Sequence, residues 1–214
     1  MATVLNGLNF NQQPLAPGRD VSIPDWWNIL MTHAHANSLI VTQVSLNKQS
    51  SAWPGFQHEY VTLEVNIHPS EPQHLAPVTL VVSRNVQATL GLWGPSLDTV
   101  TIRSPEVPVI EVQPYTIQWQ PNNAPLLRSI FILIHDIHSR MLTYCLLKMS
   151  CYTFARAILE AINSAFNGQQ DHPPLETFFM QQSYFLGCIP VGITRAHKVA
   201  DEAVATYQRY LQLQ

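Results

Sequence analysis

A chain of 214 residues with 46% hydrophobic side chains has material for one domain-sized core, with room for an appended arm. Only 12% of the residues are charged and the net charge is −3, against an ordinary charged fraction of roughly 25%. Low charge with ordinary hydrophobicity is the reverse of what keeps a chain disordered, and 11 Lys and Arg without a basic run argue against binding nucleic acid by phosphate neutralisation.

Residues 1–20 are polar, punctuated by Pro and Gly, and without period; they read as an irregular arm ahead of a single domain over residues 21–214. Residues 23–38 open with Pro24 and Asp25 and carry Trp26, Trp27, Leu30 and Ala34, which predicts a short amphipathic helix. Residues 39–46 are β-branched and read as a strand. Residues 58–67 alternate cleanly: Val61, Leu63, Val65 and Ile67 lie on one side, and His58, Tyr60, Thr62, Glu64 and Asn66 on the other. A turn leads to a second strand over residues 78–84. Residues 100–103 and 107–119 are further strand candidates, and Pro105, Pro108 and Pro114 place them at sheet edges.

The period then changes. Leu126, Leu127, Ile130, Phe131, Ile134 and Ile137 have helical spacing over residues 126–138. Residues 141–148 read as a short buried strand, and Ser150 is placed to cap the helix that follows. Phe154, Ile158, Ala161, Ile162, Ala165 and Phe166 form the buried stripe of that helix, with Gly168 as its terminator. Residues 171–193 are irregular, and Ala196, Val199, Ala203, Tyr207 and Tyr210 predict a last helix over residues 194–213. There is no internal repeat. The expected fold is α+β, an antiparallel sheet packed against helices.

No stretch reaches the roughly 18 apolar residues of a membrane helix, and residues 1–14 lack the basic and apolar regions of a secretory leader. Cys145, Cys151 and Cys188 are odd in number and sit in apolar contexts, so the expectation is free thiols in a reducing, intracellular compartment.

The strongest local feature is residues 144–156, where a strand ends, Ser150 follows, and Cys151 enters the first turn of an apolar helix. Helix-start amides stabilise a thiolate, and a nucleophilic cysteine needs a histidine as base. The segment resembles the strand-to-helix cysteine segment of circularly permuted papain-like proteins, which include lecithin:retinol acyltransferase-like, NlpC-type and PPPDE-type thiol hydrolases. That resemblance implies a catalytic histidine at a strand start ahead of the cysteine. His58 has that chain order, and His74, ahead of the second strand, has the order of the third member. Ser150 stands where the permuted class commonly has Asn.

His58-Glu59-Tyr60-Val61, the strand ending in Arg84, Asp98-Thr99-Val100 and the run from Cys151 to Arg156 are also similar, in order and spacing, to an uncharacterised protein family of mushroom-forming fungi. This second resemblance spans about residues 56–166 and brings no activity with it.

Two readings of function follow. One is a cysteine hydrolase or acyl-transfer enzyme acting on an amide, thioester or ester. Cys151 is then the nucleophile, His58 its base, His74 the third member, and helix-start amides the oxyanion site. The other is a non-enzymatic interaction domain on the same scaffold, with a protein partner or an identical subunit. The pairs His33/His35 and His135/His138 lack the further ligands a zinc site needs, and no phosphate loop or other cofactor motif is present, so neither metal nor cofactor is expected.

Overall fold

Apolar and polar residues alternate along the central strands, and that alternation becomes a sheet with one apolar and one hydroxyl-rich face. The computed structural model describes residues 5, 8–10, 13–49, 58–70, 75–86, 93–103, 115–145, 150–170, 184–185, 189–190 and 193–213. The strands of the main sheet are β3 (Asp20–Ser22), β4 (Leu39–Gln49), β5 (His58–Ile67), β6 (Val78–Val86), β7 (Trp93–Ile102), β8 (Tyr115–Gln118) and β10 (Gln169–Gln170). They are antiparallel throughout, in the order β10-β8-β4-β5-β6-β7-β3, with β9 (Thr143–Cys145) pairing on β7. Two small hairpins lie apart from it: β1 (Asn9–Phe10) with β2 (Gln13–Pro14), and β11 (Tyr184–Phe185) with β12 (Ile189–Pro190).

Register aligns the apolar face across the strands. Val44 pairs with Leu63 and Ile117, Leu46 with Val61 and Tyr115, and Val82 with Val61 and Val100. All of these are buried. The register of β4 against β5 shifts between Val41 and Gln43. That bulge puts both Val41 and Val44 on the core side, which a strict two-residue period does not allow. The opposite face is stitched by side chains: Ser45 and Thr116 share a hydrogen bond at 3.1 Å, Asn47 donates to Thr62 at 2.9 Å, and Thr79 donates to Glu64 at 2.7 Å.

Helices cover the apolar face. In α1 (Ile23–Thr32), the Ser22 hydroxyl caps the Asp25 amide at 3.3 Å. Trp26 is fully buried there, stacks on Phe131 at 5.8 Å and donates its indole N–H to the Val100 carbonyl at 3.3 Å. Helices α2 (Leu127–Arg140) and α3 (Cys151–Phe166) pack beside it, with α3 lying over β5 and β6. The long α4 (Ile193–Gln212) packs on α2 and α3 as an outer layer through Ala196, Val199, Ala203 and Tyr207. Arg140 fixes it, donating to Asp136 at 2.6 Å and to Glu202 at 2.7 Å. Among the described residues no helix is long and apolar enough to cross a membrane.

The α+β class and the antiparallel sheet under helices are as the sequence predicts, and several boundaries differ. The helix expected over residues 23–38 breaks at His33, which is extended, and Ala34–Ser38 continues as a 3-10 turn. The strand expected from residue 100 begins at Trp93, and the one expected from residue 107 is described from Tyr115. In the run 141–148, only Thr143–Cys145 is a described strand, and Leu142 is 61% exposed rather than buried. Ser150 occupies the cap position of α3 without a side-chain capping bond. Asn167, not Gly168, takes the left-handed turn after α3, with φ 44°. Gly168 is needed for space, because a Cβ there would lie 2.6 Å from the Trp119 ring. In the arm, Leu5 and Leu8 are buried in the core.

Candidate functional site

The first turn of α3 and the ends of β4 to β7 beneath it contain the cysteine singled out from the sequence. Cys151 is the first residue of the helix, and only 5% of it is exposed. Burial raises its thiol pKa, and the nearby Glu59 carboxylate adds to the rise. Hydrogen bonds from the backbone of Glu59, Tyr152 and Cys151 itself act the other way. Burial outweighs them, and the thiol is pushed from 9.0 up to about 11. It is a protonated thiol at neutral pH.

His58, the base expected for it, is the first residue of β5. Alternation along β5 sends Glu59 to the helix side, with Val61 and Leu63, while His58 shares the other side with Tyr60, against which its ring stacks at 6.1 Å. Burial lowers the His58 pKa and the Glu59 charge partly offsets this. His74 and Cys188 lie outside the described residues, and Cys145 belongs to β9.

What stands beside the thiol instead is a buried layer of ion pairs. Glu59, with no exposed side-chain surface, accepts from Lys48 at 3.2 Å and from Arg156 at 3.1 and 3.2 Å. Arg84 donates to Asp98 through Nε at 2.7 Å and Nη2 at 2.5 Å, a bidentate pair without exposed side-chain surface on either partner. His138, from the last turn of α2, meets the same Asp98 oxygen at 2.7 Å. Lys48 is the register partner of Glu59, and Arg84 that of Asp98. The intervening Val61–Val82 pairing sets both couples in one row across β4, β5, β6 and β7. Helix α3 closes the row from above: Arg156 reaches Glu59, and the Phe154 ring lies 4.2 Å from the Arg84 guanidinium.

Three cationic side chains and two carboxylates give this layer one excess positive charge, apart from His138. Arg84 Nη1, Ser150 Oγ and Thr153 Oγ1 are buried there without a hydrogen-bond partner among the described residues. Each such group costs roughly 1–3 kcal/mol.

His135 and His138 have different neighbours. His135 stacks on Trp27 at 4.9 Å while His138 turns to Asp98, so their shared helix face does not make them a chelate. Among the described residues, no three His, Cys, Asp or Glu side chains are grouped to hold a metal ion.

Sequence reasoning noted Glu59, Arg84, Asp98 and Arg156 only as parts of a resemblance and missed Lys48. A signal was present. Each strand residue continues the apolar parity of its strand by one step: Lys48 after Val44 and Leu46, Arg84 after Leu80 and Val82, Glu59 before Val61 and Leu63, Asp98 before Val100 and Ile102. These segments therefore meet in space at the ion-pair layer. No family model, curated protein or solved structure matches the chain.

Proposed function

We propose that this is a non-enzymatic interaction domain, whose partner is another protein or an identical subunit. The observation that carries the reading is the state of Cys151: buried, protonated, and neighboured by ion-paired Glu59. Thiol catalysis needs an accessible thiolate, and here burial works against access and ionisation alike. The low charge content, and the exposed Leu97 and Leu142 on segments joined by the Ser96–Leu142 backbone hydrogen bond, support a role at surfaces.

The hydrolase reading keeps one supporting feature, the three backbone amides directed at the sulfur. Iodoacetamide labelling of the folded protein at pH 7, with mass mapping of the modified cysteine, separates the two. The interaction reading expects Cys151 to label only after denaturation, with His58→Ala changing nothing. Native labelling of Cys151 faster than in the unfolded chain, slowed by His58→Ala, would overturn it in favour of the thiol hydrolase.

A further inference from the structure

At the far end of the sheet from the charged row, two turns face one another across a cleft of about 240 Å³. One is the exit of β8 toward Asn123; the other joins α3 to β10. Primary amides dominate its polar lining: Gln120, Asn123, Asn167 and Gln169 all present side chains on exposed positions, and no ionisable residue borders it among the described residues. None of these four amides has a side-chain hydrogen bond among the described residues.

The aromatic wall is Trp119. Its indole N–H donates to the Phe166 carbonyl at 3.0 Å, and the Gly168 backbone lies against the ring so closely that a Cβ would come within 2.6 and 2.8 Å of two ring carbons. The ring is thus held in one orientation. Behind it, Tyr115 donates to Gln170 at 2.6 Å and Gln170 donates to Asn163 at 2.8 Å, which fixes β10 to α3.

We infer that this cleft binds a neutral carbohydrate, one sugar ring at a time. Each primary amide offers two donors and an acceptor in one plane, which suits adjacent hydroxyls that donate and accept together. A fixed aromatic ring supplies the apolar surface that the C–H face of a sugar needs. The neutral amides and aromatic rings that line the cleft among the described residues favour an uncharged ligand. The volume falls below the roughly 300–1,000 Å³ of sites for drug-sized molecules, and is scaled to a single ring rather than an extended peptide. The inference goes beyond the interaction reading and does not depend on Cys151.

The test follows the Trp119 indole N–H resonance of the full chain, labelled with nitrogen-15, as methyl glycosides of glucose, galactose, mannose and N-acetylglucosamine are added. At least one glycoside is expected to shift it saturably, with half-saturation on the order of millimolar. Replacing Asn123 and Gln169 together by Ala, on exposed positions, should weaken that binding by about five-fold or more without altering the melting temperature. No saturable shift with any of the four up to about 100 mM would overturn the proposal. So would a shift produced by the peptide N-acetyl-glycyl-glycine methylamide but by none of the glycosides, which would assign the cleft to peptide backbone instead.

Discussion

Around the Cys151 sulfur, three backbone amides favour the thiolate and burial opposes it, and the balance has a consequence for stability as well as reactivity. The unfolded chain releases this proton near 9.0 and the folded chain near about 11. Between those values the folded state holds more protons, so stability falls as pH rises. Two pH units of separation correspond to about 2–3 kcal/mol. Urea unfolding of the protein and of Cys151→Ala should therefore give curves that run parallel below pH 8.5 and converge or cross as pH approaches 11, the variant losing less. Curves parallel over the whole range would show that the thiol is not desolvated as described. The opposite slope belongs to His58 and His135, both lowered, by burial first. Their unfolded forms take up protons near 6.5 and their folded forms only at lower pH, so stability present above 6.5 is lost as pH falls below it. Melting temperatures of His58→Gln and His135→Gln should fall less between pH 7.5 and 5 than that of the unaltered chain.

At the scale of an element, α3 shows which sequence signals bear weight. Its stripe of Phe154, Ile158, Ala161 and Ile162 was legible from spacing alone, because a helix over a sheet buries residues at intervals of three and four. Ile158 is fully buried, and Ile158→Ala should cost about 2–5 kcal/mol in urea unfolding. Ser150 is the contrasting case. Its identity and position predict a cap, and loss of a cap costs about 0.5–2 kcal/mol, yet its hydroxyl makes no capping bond. Ser150→Ala removes a buried hydroxyl without a partner, so it should be neutral to stabilising, by up to about 1–3 kcal/mol, and a loss near 2 kcal/mol would place a cap where none is seen. What spacing could not supply was the route of the chain at either end of such elements. The break at His33 and the left-handed Asn167 depend on what the flanking segments pack against, not on local pattern. Chain order likewise singled out His58 at the start of β5, while the parity of that strand sends its neighbour Glu59 to the helix side, a placement that chain order does not carry.

Across the whole molecule, one face of the sheet changes character along its strands, from Val and Leu in the middle to Lys48, Glu59, Arg84 and Asp98 in a single row. A buried ion pair adds little net stability over an apolar pair of similar volume, while removing one partner is costly. The row is therefore better understood as fixing register: a slip of one residue between β6 and β7 would send Arg84 and Asp98 to opposite faces. That view makes a specific prediction. Arg84→Met leaves the Asp98 carboxylate buried with His138 as its remaining hydrogen-bond partner, and Asp98→Leu leaves the Arg84 guanidinium buried beneath Phe154. Each change alone should cost about 3–5 kcal/mol in urea unfolding. The double variant restores an apolar pair at that register position, and should be destabilised by less than the sum of the two, with a coupling of at least about 1–3 kcal/mol. Additivity within about 0.5 kcal/mol would mean that the two side chains do not act as a pair. If the double variant recovers stability yet shows broadened or duplicated amide resonances for β6 and β7, the ion pair's contribution is to the choice of register. If it recovers stability with a single sharp set, packing of Leu80, Val82, Val100 and Ile102 alone is enough to hold the strands in place, and the register role is refuted.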